Sequence, residues 1–127
     1  SNDGGESWSK PTPVPELTEP IGGCEGSLVL HPNGRLYYAH PDPPLSALRE
    51  VMNVKVSADG GKTWRQHAQV WGPDHGCAPP CVPAAGYSSL VVMGDEPTSL
   101  LGLQYGRNNA TLIFFEARGV AFTTVAP

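Results

Sequence analysis

The sequence is poor in charge, poor in cysteine and without a sustained helical period. Only 16% of its 127 residues are charged, and 8 Lys+Arg against 12 Asp+Glu leave a net charge of −4. That balance lacks the basic footprint by which proteins hold nucleic acid, so no nucleic-acid partner is expected. No apolar run approaches the roughly 20 residues of a membrane-crossing helix, so no membrane span is expected. No stretch repeats apolar residues at helical spacing, which argues against helices. The four histidines (His31, His40, His67 and His75) show no ligand spacing. Neither a metal nor a cofactor is expected, and the histidines read as polar strand or loop positions. Of the three cysteines, Cys77 and Cys81 sit in one Pro-rich loop, GCAPPCVP, where a local disulfide and two free thiols are both open readings; Cys24 is left over. No initiator methionine or secretory leader opens the chain, which starts inside a motif. From this we expect that residues preceding it are missing or belong to another chain.

Punctuation is abundant instead. Fifteen glycines and 14 prolines separate short runs rich in valine, leucine and tyrosine, the pattern of an all-β protein. One motif occurs twice, as SNDGGESW at the start and as SADGGKTW at 57–64, with the copies beginning 56 residues apart. Both fit S-x-D-x-G-x-[ST]-W. Its Ser and Asp can hydrogen-bond nearby backbone, and its glycines can take positive φ, so each copy reads as a hairpin turn. Its Trp is expected to drop into the core as the next strand starts.

In chain order, residues 10–20 carry Pro11, Pro13, Pro15 and Pro20 and read as an outer edge strand running into a connection. GGCEGSLVLHP is a strand introduced by glycines, and Pro32-Asn33-Gly34 is a turn leading back through RLYYAHP. After the loop PDPPLSAL come the strand EVMNVKVS, the second motif and the strand TWRQHAQVWG. A Gly-, Pro- and Cys-rich loop covers 72–86. The strands YSSLVVMG, LLGLQYGR, TLIFFEARG and VAFTTVAP finish the chain. One leftover strand, then four, then four, is the rhythm of β-propeller blades of four antiparallel strands. Residues 1–20 then end a preceding blade, 21–72 form one blade and 73–127 the last. Repeat units bury their faces against neighbours, so further blades are expected from elsewhere in the same or another chain.

The repeated box, the element GGCEGSLV, and an isolated Tyr87 before an apolar strand in GYSSLVV together resemble the C-terminal portion of the sialidases of the animal, lysosomal type. The resemblance runs from Ser1 to about Arg118. It implies a six-bladed propeller, about two blades and one strand of which lie here, with the boxes on the rim opposite the active face. It implies an exo-sialidase acting on sialylated glycans with retention. Tyr87 matches the family's nucleophile. The target carbon bears a carboxylate that would repel an anionic nucleophile, whereas a neutral phenol can approach, and sialidases are exceptions to the two-carboxylate scheme of glycosidases. Arg49, eight residues before the second box, matches the third arginine that grips the substrate carboxylate through parallel hydrogen bonds. Gln104 stands where the family has a glutamate that steadies an arginine. Glu25 replaces a glutamine in GGCEG; we read that element as a glycine-led path to the innermost strand, with Glu25 as a charge near the pocket.

The remaining two arginines, the acid aspartate and the glutamate partner of the tyrosine are not in this chain, so the 127 residues alone are expected to be inactive. The runner-up reading is a sialidase-like propeller kept as a binding or structural module. Asn109-Ala110-Thr111 forms a glycosylation sequon. With the Cys77/Cys81 pair it points to the secretory pathway, lysosomal or extracellular. Asp42, Asp95 and Glu96 read as solvated turn residues.

Overall fold

The structure, a computed structural model, describes residues 1–42, 49–72, 84–108 and 119–127. Seven strands form two antiparallel sheets, and no helix occurs among the described residues. The first sheet is a meander in the order β1 (Ser27–Leu30), β2 (Leu36–Pro41), β3 (Met52–Ser57) and β4 (Arg65–Trp71). The second is β5 (Ala84–Val92), β6 (Leu101–Asn108) and β7 (Gly119–Val125), again in sequence order.

Period-two alternation sets the inward face of the strands, although β3 is buried on both faces apart from Lys55. Tyr37 and Ala39 on β2, and Val54 and Val56 on β3, point inward and are almost wholly buried. Leu101, Leu103 and Tyr105 do the same on β6, with Leu90 on β5. These residues form one core cluster that joins the two sheets. Full burial of Leu101 and Leu103 contributes about 1.5–3 kcal/mol each by the area removed from water. Polar ties cross the same seam. The Ser88 hydroxyl donates to the Ala39 carbonyl at 2.7 Å, and the Leu90 amide donates to Ser27 Oγ at 2.9 Å. His31, 1% exposed, places Nε2 2.8 Å from the Ser99 carbonyl, so that nitrogen carries the proton.

Both copies of the repeated box close into the same turn. In the second, between β3 and β4, the Gly61 amide donates to Ser57 Oγ at 2.8 Å. Asp59 accepts the Lys62 and Thr63 amides at 3.0 Å each and the Thr63 hydroxyl at 2.6 Å. In the first, Asp3 and Ser1 play these parts toward Ser7 and Gly5. Gly60 and Gly61 have φ of 74° and 90°, the left-handed values that their positions in the motif require.

Three expectations are corrected. Trp8 does not enter the core; it is 78% exposed, because no described strand receives it. Residues 10–20 form no strand. Their prolines lack the amides a ladder needs, and side chains pin the segment instead: Lys55 Nζ donates to the Glu16 carbonyl at 2.9 Å and Thr18 donates to Asp42. Asp42 is not a solvated turn residue. Its side chain, 14% exposed, pairs with Lys55 at 2.8 Å and accepts from Asn53 at 2.9 Å. The strand expected at 111–119 falls, apart from Gly119, outside the described residues; beside β6 lies β7, whose Ala121, Thr123 and Val125 face β6's Tyr105, Leu103 and Leu101. Residues 109–118 lie outside the described residues. Asp95 and Glu96 are exposed as expected.

Candidate functional site

The two ends of the first sheet differ in chemistry. One end carries the self-closed turn at 57–64. Arg49 precedes β3, so it lies at the other end, and the second sheet is anchored there. Glu50 bridges Ala84, and the Ala85 amide donates to the Arg49 carbonyl at 2.8 Å. Tyr87 follows two residues later on β5.

Arg49 and Tyr87, 38 positions apart in the chain, are brought into contact. The guanidinium carbon lies 5.2 Å from the centre of the Tyr87 ring, within the range of a cation–π interaction. Arg49 is also held from beneath. Its Nε and Nη2 both donate to the Gly23 carbonyl, at 3.1 and 2.8 Å. Its acidity is weakened further, first by hydrogen bonding to Tyr87, so it is a permanent cation. Tyr87 itself is 62% exposed, open to a ligand arriving from solvent.

The backbone around this pair is strained. Among the described residues only Val51 and Tyr87 are non-glycine residues with positive φ, 54° and 46°. The left-handed region costs an L-residue on the order of 1–2 kcal/mol, and a β-branched residue there is an outlier. Both flank Arg49 in space or sequence. At Tyr87 the cause is a bulge: Gly86 faces Gly106 and Ser88 faces Tyr105, leaving Tyr87 without a ladder partner. Strain of this kind gathers at functional sites.

The glycine-led approach to β1 behaves as read from the sequence. Gly22 and Gly23 have φ of 81° and 68°. A Cβ at Gly26 would overlap the Tyr38 phenol. Glu25 is exposed. Gln104 lies opposite Ser89 and Phe122 on the exposed face of β6 and makes no side-chain hydrogen bond among the described residues. Asn109, Cys77, Cys81 and His75 fall outside the described residues. Cys24 is a free thiol. No carboxylate hydrogen-bonds Tyr87, and no group of three or more metal-ligating side chains forms, among the described residues.

Several features of this rim were not read from the sequence. Arg107 places its guanidinium carbon 4.8 Å from the Trp71 ring centre, and its register partner is Ala85, the residue bonded to Arg49. His40, stacked on Tyr38 and 1% exposed, leaves both ring nitrogens unpartnered. Burial, the largest influence, keeps it neutral by lowering its pKa. Beside it, burial opposes ionisation of Asp42, but hydrogen bonds from Lys55, Thr18 and Asn53 outweigh it and hold the carboxyl below its ordinary value. The Gly22-Gly23 pair was the one available signal, since consecutive glycines before a strand mark a backbone drawn close to something.

Comparison with known proteins adds nothing to this geometry: no protein-family model matches the chain, and no curated protein matches it significantly.

Proposed function

We propose that the chain is the C-terminal part of a six-bladed sialidase-type β-propeller, and that Tyr87 and Arg49 belong to its substrate pocket. One observation carries the reading: the guanidinium of Arg49 lies against the Tyr87 ring, at the end of the sheets opposite the Ser57–Trp64 turn. An exposed phenol beside a fixed cation suits a substrate with a carboxylate next to its reacting carbon. Arg49 binds the carboxylate of a terminal sialic acid. The Tyr87 oxygen attacks the anomeric carbon as the glycosidic C–O bond breaks. The phenolic proton passes to a base, and the leaving oxygen takes a proton from an acid, both supplied by other blades. Water then displaces tyrosine, with net retention.

Support for further blades comes from the outer faces. Leu28 and Leu30 on the first sheet are 55% and 68% exposed, and Val91 and Phe122 on the second are 53% and 62% exposed. In this reading neighbouring blades cover both faces. Sialylated glycans in the secretory pathway or lysosome are the expected partners. A second reading, a sialidase-like propeller kept as a binding module, is favoured by Gln104, which cannot supply the charge of a glutamate.

The test uses the protein with its completing blades. Tyr87→Phe is expected to abolish turnover of an aryl sialoside while binding of a sialic-acid analogue persists. Turnover equal to the unsubstituted protein removes Tyr87 from the chemistry. Binding without turnover in the unsubstituted protein selects the module.

A further inference from the structure

Tyr87 is out of the ladder, and its amide would be an orphan donor there. The sulfur of Cys24 takes that proton, with Tyr87 N 3.4 Å from Sγ, across 63 residues of chain. Gly86 packs beside the sulfur: a Cβ there would meet Sγ at 3.4 Å and Arg49 Cδ at 3.9 Å, both ordinary contact distances. The residue before Cys24 holds the other half of the pair, since the Gly23 carbonyl accepts both Arg49 donors. Two consecutive residues of one turn, led by left-handed glycines, therefore grip the backbone of Tyr87 and the side chain of Arg49.

We infer that Cys24 is the positioning residue of Tyr87: its sulfur, by accepting the Tyr87 amide, locks the left-handed backbone that sets the phenol ring against the Arg49 guanidinium. The inference rests on the reading of Tyr87 and Arg49 as a functional pair. Cys24 itself touches no substrate in it. A sulfur that merely fills space makes a different prediction. Valine would replace it well, and serine, smaller and polar, would not. An acceptor is replaced by serine and not by valine.

The chain has four tyrosines, so selective 15N-tyrosine labelling gives four backbone amide signals, with Tyr87 assigned by its loss in Tyr87→Phe. In the unsubstituted chain the Tyr87 amide is expected to exchange with solvent well below the unprotected rate. Cys24→Val is expected to speed that exchange roughly tenfold, leaving the amides of Tyr37, Tyr38 and Tyr105 unchanged, and Cys24→Ser to restore protection to within about twofold. An unprotected Tyr87 amide in the unsubstituted chain, with the amides of Tyr37, Tyr38 and Tyr105 protected, overturns the inference without any variant, so loss of fold in Cys24→Val cannot shelter it. Full protection in Cys24→Val, or no rescue by serine, overturns it too. In the protein with its completing blades, Cys24→Val is expected to lower kcat for an aryl sialoside with KM little changed, and serine to recover it. Amide exchange that follows the prediction in a protein without turnover refutes the sialidase reading and leaves the positioning role standing. Turnover with an unprotected amide does the reverse.

Discussion

Trp8 and Trp64 make the same hydrogen bond, indole Nε1 to the carbonyl three residues back, at 3.2 and 3.1 Å. Their surroundings differ. Trp64 is half-buried, edge-on to Tyr38 with ring centres 6.1 Å apart, while Trp8 stands in solvent. The motif therefore builds its turn without help, and the sheet beneath decides whether the ring stabilises anything. Trp64→Ala is expected to destabilise the chain by about 1–3 kcal/mol, below the 3–5 of a fully buried aromatic. Trp8→Ala is expected to stay within about 0.5 kcal/mol. Urea unfolding of both variants checks this, and equal effects would mean that Trp8 is packed in solution.

The carboxylate of Asp59 is the hub of the same turn. Hydrogen bonds from the Thr63 hydroxyl, the Thr63 amide and Ser57 hold it far below the ordinary carboxylate range. A depressed carboxyl stabilises the fold above its ordinary value near 3.8 and loses that contribution as pH falls through its folded value. Asp59→Asn is expected to be less stable than the unsubstituted chain at pH 7, with the difference shrinking under strong acid. Denaturation midpoints at pH 7 and pH 3 measure it. An unchanged gap would show that the lost hydrogen bonds matter only through geometry.

The elements most legible in the sequence were those with local causes. Alternation in MNVKVS placed β3, and the repeated box predicted the turn that Ser57 and Asp59 close. Asn33-Gly34 marked the turn between β1 and β2, and Gly34 has the φ of 79° that such a turn needs. Of the candidate site, only two residues were legible. Arg49 and Tyr87 could be named from their motifs, but no local pattern shows that the Gly23 carbonyl and the Cys24 sulfur hold them, because both ties are long-range. Trp8 and residues 10–20 were misread for related reasons. A turn signal does not say what lies beneath it, and proline spacing suits an edge strand as well as a strap pinned by Lys55. Asp42 was misread because its partners, Lys55, Asn53 and Thr18, come from elements up to 24 residues away.

His40 is expected to give the fold a mildly acidic limit. Burial lowers its pKa, and the charges facing it are those of Asp42, Lys55 and Glu19. The unfolded chain takes up a proton near the ordinary value of 6.5, and the folded chain resists it. Stability from this group is thus present above pH 6.5 and declines as pH falls through the folded value. His40→Leu removes two unpartnered nitrogens, so at pH 7.5 it is expected to be neutral or stabilising. The variant is also expected to lose less stability than the unsubstituted chain between pH 7 and pH 5. That window lies above the range in which Asp42 and Asp59 take up protons. Parallel slopes in urea titrations across it would mean that His40 titrates normally.

The left-handed backbone of Tyr87 supplies an inverted substitution order. In an ordinary strand interior, glycine is less stable than alanine by about 0.5–1 kcal/mol, because the unfolded chain gains freedom. At φ 46° alanine keeps a Cβ that meets the neighbouring carbonyl, a cost of about 1–2 kcal/mol that glycine does not carry. The second quantity exceeds the first, so Tyr87→Gly is expected to be more stable than Tyr87→Ala by up to about 1 kcal/mol. Neither variant retains the ring, so loss of the Arg49 contact cancels between them. Ser89, exposed on the same strand and at a regular ladder position opposite Gln104, is the internal control, where Ser89→Gly is expected to be less stable than Ser89→Ala. Should Tyr87 follow the order of Ser89, its backbone is extended in solution. The bulge, the sulfur tie to Cys24 and the placement of the phenol against Arg49 would then fall together, since each depends on that one dihedral angle.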